Sequence, residues 1–169
     1  MDRRYPIGQF EVKGMITETL IAQWVEEISL LPEQVHALVD KLSDSELMYT
    51  YREGGWTIKQ LVHHLADSHL NSFIRFKLAL TEENPIIKPY EEAEWAKLAD
   101  YELPPQAAVN LLSSIHRKWV ALLQSLSTEQ LERTFQHPDS GEVSLKENIG
   151  IYAWHGKHHL AHMHLALQK

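Results

Sequence analysis

The sequence predicts an all-α protein: a four-helix bundle with short extra helices in its connections. Four long segments place apolar residues at the spacing of one helix face, and strand-like alternation is nearly absent. The 169 residues are enough for one domain with a substantial core. No repeat, linker or charge block indicates a second unit, so residues 1–169 are expected to form a single domain.

The first long helix is expected from about Thr17 to Leu42, and Pro32 should kink or divide it because proline lacks a backbone N–H. The second should follow a Gly-Gly-Trp segment and run over about residues 57–81. Thr57 and Gln60 have the spacing of a capping box, in which each side chain bonds the other residue's backbone N–H. This pattern fixes where the second helix begins.

The third and fourth long helices are marked by similar signals. The third should start after Pro104-Pro105 and end near Ser125, with a clear apolar face. The fourth should begin at Ser144, capped together with Glu147, and run to the C-terminus. An antiparallel-type bundle of these four helices is the architecture that such a pattern favours.

The connections are expected to carry smaller elements. Short helices are predicted within residues 85–98 and near residues 127–132. The stretch FQHPDSGEVS, residues 135–144, has the composition of a small hairpin with its turn at residues 139–141.

The histidines at the C-terminus are the most informative chemical feature. Five fall in the last fifteen residues, interleaved with apolar and aromatic side chains. At 3.6 residues per turn His164 points away from the others, which share one stripe: His155, His158, His159 and His162. A His-x3-His pair places two imidazoles on adjacent turns, where both reach one metal ion. Two pairs have this spacing, so metal binding is the leading hypothesis; the alternative is a core or a solvated helix face lined by neutral histidines.

The second helix carries two polar bands. One is an ordinary exposed band: Lys59, His63 and Lys77. The other is a narrow stripe: His64, Asp67, Ser68, Asn71 and Arg75. A polar band turned inward is how bundle interiors build metal sites, so His64 could complete a three-histidine set with the last helix. The alternative is that both bands are solvated. His69 lies on the apolar side and is interpreted as a core or interface residue rather than a ligand.

Composition excludes several classes of function. The net charge of −7 argues against nucleic-acid binding, because no basic stripe is available to neutralise phosphates. The absence of cysteine excludes disulfides, cysteine-ligated zinc and a cysteine nucleophile, so any thiol used in chemistry must arrive with the substrate. The sequence shows neither a signal peptide nor a run of about 18 apolar residues, and a cytoplasmic protein that does not bind membranes is expected.

Motifs spread over nearly the whole chain carry a family resemblance. They are YPIG at residues 5–8, YREGGWT at 51–57, HHLADSH at 63–69, NSFIRFKLALTE at 71–82, HPD at 137–139 and YAWHGKHHLAH at 152–162. In this order and spacing the chain resembles the DinB-like superfamily of metal-binding four-helix bundles. It is most similar to the YfiT-type branch, the bacillithiol S-transferases, which are also described as metal-dependent hydrolases.

The resemblance implies a ligand set. In that superfamily one ligand is the histidine of a His-hydrophobic-Ala-Asp/Glu motif, which corresponds to His64. The other two form a His-x3-His pair that follows an aromatic residue, which corresponds to His155 and His159 after Trp154. Geometry alone does not choose between this pair and His158 with His162, and the family pattern favours the first.

A set of three histidines leaves coordination positions open, which is typical of catalytic rather than structural zinc. One divalent ion per chain is expected, zinc in the first place and nickel as the alternative, because imidazole suits both. Asp67 and Asn71 are candidates for fixing a ligand tautomer or a bound water, and Asp67 could equally be a surface carboxylate. No residue is assigned to the catalytic step itself.

Three functions follow as expectations. The first is transfer of a low-molecular-weight thiol, bacillithiol, to an electrophilic small molecule in detoxification. The second is a metal-dependent hydrolase that activates a metal-bound water, with Asp67 as the only evident base. The third is a non-catalytic metal-binding stress protein. The resemblance also suggests a homodimer, to which loop aromatics could contribute: Tyr90, Trp95 and Tyr101.

Overall fold

In the computed structural model, which describes residues 2–168, the chain is a four-helix bundle with short connecting elements. The elements in order are α1 (Glu18–Val39), α2 (Asp44–Leu47), α3 (Ile58–Thr81), α4 (Glu92–Trp95), a 3-10 turn (Ala99–Glu102), α5 (Pro105–Gln124), α6 (Thr128–Leu131), β1 (Thr134–His137), β2 (Gly141–Ser144) and α7 (Leu145–Leu167). The four long helices are therefore α1, α3, α5 and α7, as the sequence predicts.

The long helices are not arranged as a simple up-and-down bundle, in which consecutive helices are neighbours. Helix α1 packs mainly on α5 and α7, and α3 packs on the same two helices. Consecutive long helices α1 and α3 thus lie across the bundle from each other. This order brings α3 and α7 together, and these two helices carry all the histidines of the predicted set.

Helix α1 runs unbroken through Pro32, so the expected division there is wrong, and the alternative of a kink stays a prediction. Pro32 is buried in the middle of the helix. A proline at this position removes the helical hydrogen bond to the carbonyl four residues earlier, that of Ile28. In this structure the imidazole of His116 on α5 bonds that carbonyl at 2.6 Å, which compensates for the missing donor.

The helix starts follow the predicted caps. Thr57 N donates to Gln60 Oε1 at 3.0 Å, and Gln60 N donates to Thr57 Oγ1 at 3.1 Å, which completes the capping box. At α7 the Ser144 hydroxyl accepts from the backbone N–H of Glu147 at 3.3 Å. Each cap satisfies N–H groups that have no partner within the helix.

The hairpin is also present, with β1 and β2 antiparallel and His137 paired with Gly141. Two short elements were not anticipated: the 3-10 turn Ala99–Glu102 and the four-residue helix α2. The signal of α2 is visible in the sequence, because Ser43 and Glu46 form a capping box in the structure.

Two glycines let α7 approach α1 closely. A Cβ on Gly150 would lie 2.7 Å from the ring of Trp24, and a Cβ on Gly156 would lie 2.6 Å from Leu31 Cδ2. Larger side chains would hold the helices apart. Because Gly156 directly follows His155, this contact also helps to set how α7 presents its histidines to α3. None of the described helices is long and apolar enough to span a bilayer.

Candidate metal centre

Three imidazoles converge between α3 and α7. His155 Nε2 lies 3.2 Å from His64 Nε2 and 3.2 Å from His159 Nε2. The ligand atoms of the three residues are all within 4.8 Å of one another. These Nε2 atoms have no other hydrogen-bond partner among residues 2–168. The structure therefore brings together the three residues that the family pattern indicates, with their nitrogens aimed at one point.

The surroundings keep these imidazoles neutral. His64 and His159 are buried and His155 is partly exposed. Burial lowers the pKa of His64 to about 4, because the charged form loses its hydration. Burial, and then the neighbouring histidines, lower the pKa of His155 and His159 well below the usual value. Neutral imidazole is the form that binds a metal ion.

A second histidine group overlaps the first. It consists of His158, His159 and His162, all buried. Both ring nitrogens of His162 have partners: Nδ1 lies 3.3 Å from His159 Nδ1, and Nε2 lies 3.1 Å from the Arg3 carbonyl. His158 stacks on Trp154, with ring centroids 4.5 Å apart. Unlike the first group, this one does not point a set of unengaged nitrogens at a shared centre.

Asp67 and Asn71 make no hydrogen bond to the three imidazoles among the described residues, and a role in holding a bound water stays a prediction. Asp67 Oδ2 accepts a hydrogen bond from the Tyr101 hydroxyl at 2.8 Å, and Asn71 Nδ2 donates to the Asp67 carbonyl at 2.8 Å. Burial raises the pKa of the Asp67 carboxyl. Only part of the predicted inward stripe is buried, namely His64 and Ser68.

His63 is not in an exposed band, which corrects the prediction for that residue. Its side chain is 6% exposed, and its ring stacks on Tyr101 with centroids 5.1 Å apart. His63 Nε2 bonds the Leu103 carbonyl at 3.1 Å. The segment between α4 and α5 covers this face of α3, and periodicity within α3 carries no information about that segment. His164 is exposed, as predicted.

The residues that hydrogen-bond to a predicted ligand from behind are other histidines. His69 Nε2 lies 3.2 Å from His155 Nδ1, and His69 Nδ1 lies 2.8 Å from His116 Nε2. His69 is fully buried, as its place on the apolar side of α3 predicted, but both of its ring nitrogens make hydrogen bonds. His116 was missed. Its signal is a histidine on the apolar face of α5, four residues after Leu112 and three before Trp119.

Comparison with known proteins fixes the family. The DinB superfamily profile matches residues 27–163, most of the chain. The chain belongs to the DinB superfamily. Proteins of Oceanobacillus iheyensis and Halalkalibacterium halodurans, both named "putative metal-dependent hydrolase", are 53% and 52% identical to it. The first alignment covers 96% of this chain and 95% of the relative, and the second covers 99% and 98%.

Solved structures agree with this placement. YfiT from Bacillus subtilis, described as a probable metal-dependent hydrolase with an unusual four-helix bundle topology, matches with a TM-score of 0.95 and 40% identity. The match covers 99% of this chain and 97% of YfiT. The mycothiol-dependent maleylpyruvate isomerase matches with a TM-score of 0.71 and 16% identity, over 89% of this chain and 63% of that one. At that identity the likeness shows a shared fold only.

Proposed function

We propose that the chain is a metal-dependent enzyme that transfers a low-molecular-weight thiol, such as bacillithiol, to electrophilic small molecules in detoxification. The observation that carries the proposal is the convergence of three neutral imidazoles on one point. Within the part of the chain that the structure describes, no carboxylate hydrogen-bonds to any of them. The site therefore offers a metal three uncharged ligands and open positions.

The residues fit a divalent ion. The Nε2 atoms of His64, His155 and His159 would hold it, because they converge and have no other partner among the described residues. Zinc is our first choice and nickel the alternative, since imidazole suits both ions. When bound, such an ion lowers the pKa of a thiol or a water molecule that it coordinates.

The chain itself favours an external thiol. Because the three ligands are uncharged, they do not offset the positive charge of the ion, and an anionic sulfur is correspondingly well accommodated. The sequence has no cysteine, so no internal thiol competes for the site. In the transfer, the sulfur forms a bond to an electrophilic carbon. The leaving group departs with its electron pair, and the thiol proton passes to solvent.

A metal-dependent hydrolase is the second candidate, because the close relatives carry that name. Such chemistry usually needs a carboxylate near the activated water. Asp67 is the candidate that the sequence offers, and its carboxylate is bonded to Tyr101. A non-catalytic metal-binding stress protein is the third candidate. A set of three protein ligands argues against it, since structural zinc normally has four.

The experiment that separates these candidates uses zinc-loaded protein made without a histidine tag. The protein is incubated with a chlorinated dinitrobenzene, with and without bacillithiol, and in parallel with ester and amide substrates. Chelator-sensitive formation of the thioether supports the transferase. Chelator-sensitive hydrolysis without thioether formation replaces it with the hydrolase. Metal-dependent folding without either activity favours the stress protein.

A homodimer is also proposed, although one aromatic residue suggested for its interface, Tyr101, is buried within the single chain. Tyr101 is 3% exposed in the single chain and packs on His63. Tyr90 and Trp95 are partly buried, and their rings lie 4.4 Å apart. Sedimentation at micromolar concentration should give twice the chain mass of 19.6 kDa, and a species of 19.6 kDa alone rejects the dimer.

A further inference from the structure

We propose that two chains of hydrogen-bonded histidines, each ending on a main-chain carbonyl, hold His155 and His159 in the tautomer that presents Nε2 to the metal. His69, His116 and His162 are then positioning residues, although none of them reaches the metal. The inference rests on the proposed metal binding and explains how the protein selects one nitrogen of each ligand.

The first chain runs from α7 across the bundle to α1. His155 Nδ1 lies 3.2 Å from His69 Nε2, and His69 Nδ1 lies 2.8 Å from His116 Nε2. His116 Nδ1 lies 2.6 Å from the carbonyl oxygen of Ile28. Three imidazoles and one carbonyl thus form a continuous line of hydrogen bonds.

The carbonyl fixes the direction of the whole line. A carbonyl oxygen only accepts, so His116 must carry its proton on Nδ1. Neutral His116 then accepts at Nε2, which requires the proton of His69 on Nδ1. Neutral His69 accepts at Nε2 in turn, which requires the proton of His155 on Nδ1. The Nε2 atom of His155 is therefore left with a free lone pair, and this is the atom that points at the proposed metal.

The carbonyl is available because of Pro32. In an unbroken helix, residue 32 would donate its N–H to Ile28, but proline has none. A buried carbonyl without a partner is unfavourable, and His116 supplies the partner. The proline in α1 thus provides the fixed end of a hydrogen-bond chain that ends at a ligand on α7.

The second chain is shorter and ends near the N-terminus. His162 Nε2 lies 3.1 Å from the Arg3 carbonyl, so Nε2 carries the proton. Neutral His162 then accepts at Nδ1 from His159 Nδ1, 3.3 Å away. This leaves His159 Nε2 with a free lone pair. Arg3 is held in place by a bond of 3.0 Å from its Nη1 to the Tyr51 carbonyl, and the Tyr51 ring stacks on His162 at 3.9 Å.

The two chains meet at a contact that a hydrogen bond cannot explain. His155 Nε2 and His159 Nε2 lie 3.2 Å apart, and on this argument neither carries a proton. Two facing lone pairs repel unless a cation lies between them. His64 has no such chain, since its buried Nδ1 has no partner within residues 2–168.

These tautomers belong to neutral imidazoles, and the packing favours the neutral form because burial disfavours charge. His69 is completely buried between His116, Trp119 and Tyr152. Burial lowers the pKa of His116, the residue at the carbonyl end of the line, to about 4. The second histidine group described above is, on this view, a tautomer-setting contact rather than a second metal site.

The test replaces His116, the last histidine of the first hydrogen-bond chain, and leaves the three metal ligands unchanged. His116→Leu frees His69 to carry its proton on Nε2. In that tautomer His69 donates to His155 Nδ1, so the proton of His155 lies on Nε2, the nitrogen that should bind metal. Loss of such outer partners typically costs about 10- to 100-fold in metal affinity. We therefore expect zinc affinity, measured by competition with a chromophoric chelator, to fall by about that factor.

The matched control is Trp119→Phe. Trp119 packs edge-on against both His69 and His116, and its Nε1 has no hydrogen-bond partner in the described part of the chain. This variant disturbs the same packing without removing a member of the chain. It should lower the unfolding midpoint and leave zinc affinity within about threefold of the original. Equal losses of affinity in both variants overturn the inference.

A second measurement stands even if His116→Leu fails to fold. Long-range 1H–15N correlation spectra of the ¹⁵N-labelled, zinc-loaded protein report which ring nitrogen of each histidine carries the proton. We expect Nδ1–H for His69, His116, His155 and His159 and Nε2–H for His162. The opposite tautomer at His69 or His116 overturns the first chain, and Nδ1–H at His162 overturns the second.

The outcomes also separate this inference from the proposed function. If the unmodified protein takes up no metal, or if His64→Ala retains it at full affinity, the metal site itself is wrong. If the metal site holds while His116→Leu binds zinc as tightly as the unmodified protein, only the hydrogen-bond chain is wrong. Uptake of two tightly bound zinc ions per protein molecule would show that the second histidine group also binds a metal, and it would overturn the second hydrogen-bond chain.

Discussion

Two His-x3-His pairs lie on the same helix, three residues apart, and they differ only in what surrounds them. His155 and His159 face His64 of α3 and aim unengaged Nε2 atoms at one point. His158 stacks on Trp154, and His162 uses both ring nitrogens for the Arg3 carbonyl and His159. Identical spacing therefore does not give identical chemistry. The partners contributed by other elements differ between the two pairs, and on that difference we expect the first pair to bind metal.

The largest expected effect separates the two pairs directly. Alanine at His64, His155 or His159 should weaken zinc binding by more than roughly 100-fold, because losing a ligand exceeds the cost of losing an outer partner. His158→Ala should leave affinity nearly unchanged. Elemental analysis and chelator competition on the purified variants measure this.

One outcome of the same series of variants would contradict the assignment of the first pair. If His158→Ala and His162→Ala lose the metal while His155→Ala keeps it, the second pair is the binding pair. His162→Ala should otherwise fall between the two groups, because His162 orients His159 without binding metal.

Protonation provides the next largest effect. In the metal-free protein the pKa of His64 and of His116 is lowered to about 4, from about 6.5 in the unfolded chain. The unfolded state binds more protons between these values, so the stability present above pH 6.5 is lost as the pH falls towards 4. At pH 5 each of the two residues should contribute about 2 kcal/mol to this loss.

Urea unfolding of metal-free protein at pH 7 and pH 5 measures it. His116→Leu removes one of the two groups and should make the difference smaller by about 2 kcal/mol. A free energy of unfolding that is equal at both pH values would show that these imidazoles are not held neutral.

A smaller effect concerns the helix contact that positions both pairs. In Gly156→Ala the new methyl group meets Leu31, and such overpacking costs about 1–3 kcal/mol, against about 1 kcal/mol gained in helix propensity. We expect a net loss of up to about 2 kcal/mol in urea unfolding. Adding Leu31→Ala to Gly156→Ala relieves the contact, so Gly156→Ala should cost less in that background. A stabilised Gly156→Ala protein would mean that α7 does not need this close approach.

The smallest expected effect distinguishes the two reactions proposed for the first pair. Asp67→Asn should change thiol transfer by less than about threefold, because the carboxylate bonds Tyr101 and not a ligand. A general base would be worth about 100- to 10,000-fold. Tyr101→Phe removes the same hydrogen bond and is the matched control. A large loss of hydrolysis in Asp67→Asn alone would favour the hydrolase.

The sequence predicts the bundle well because its signals are local. Apolar spacing marks all four long helices, capping residues mark the starts of α1, α3 and α7, and prolines mark the start of α5. The Thr57–Gln60 box fixes one start to the residue. The predicted division at Pro32 was wrong because the Ile28 carbonyl, which loses its helical hydrogen bond, is bonded instead by His116 from another helix. His63 was misplaced for the same reason, since the residues that cover it belong to a connection.

The site was partly predictable. His64, His155 and His159 stand out by motif and spacing, and the structure brings them together. The groups behind them do not stand out, because His69 and His116 look like core positions when each helix is considered alone. Only the packing of α1, α3, α5 and α7 places them in one line.

The central claim is that one metal ion is held by the first pair and His64, and anomalous diffraction at the zinc edge tests it most directly. Crystals of zinc-loaded protein should show one strong peak per chain, about 2.0–2.1 Å from the Nε2 atoms of His64, His155 and His159. A peak bound instead by His158 and His162, or coordination through Nδ1 of His155, would contradict the account.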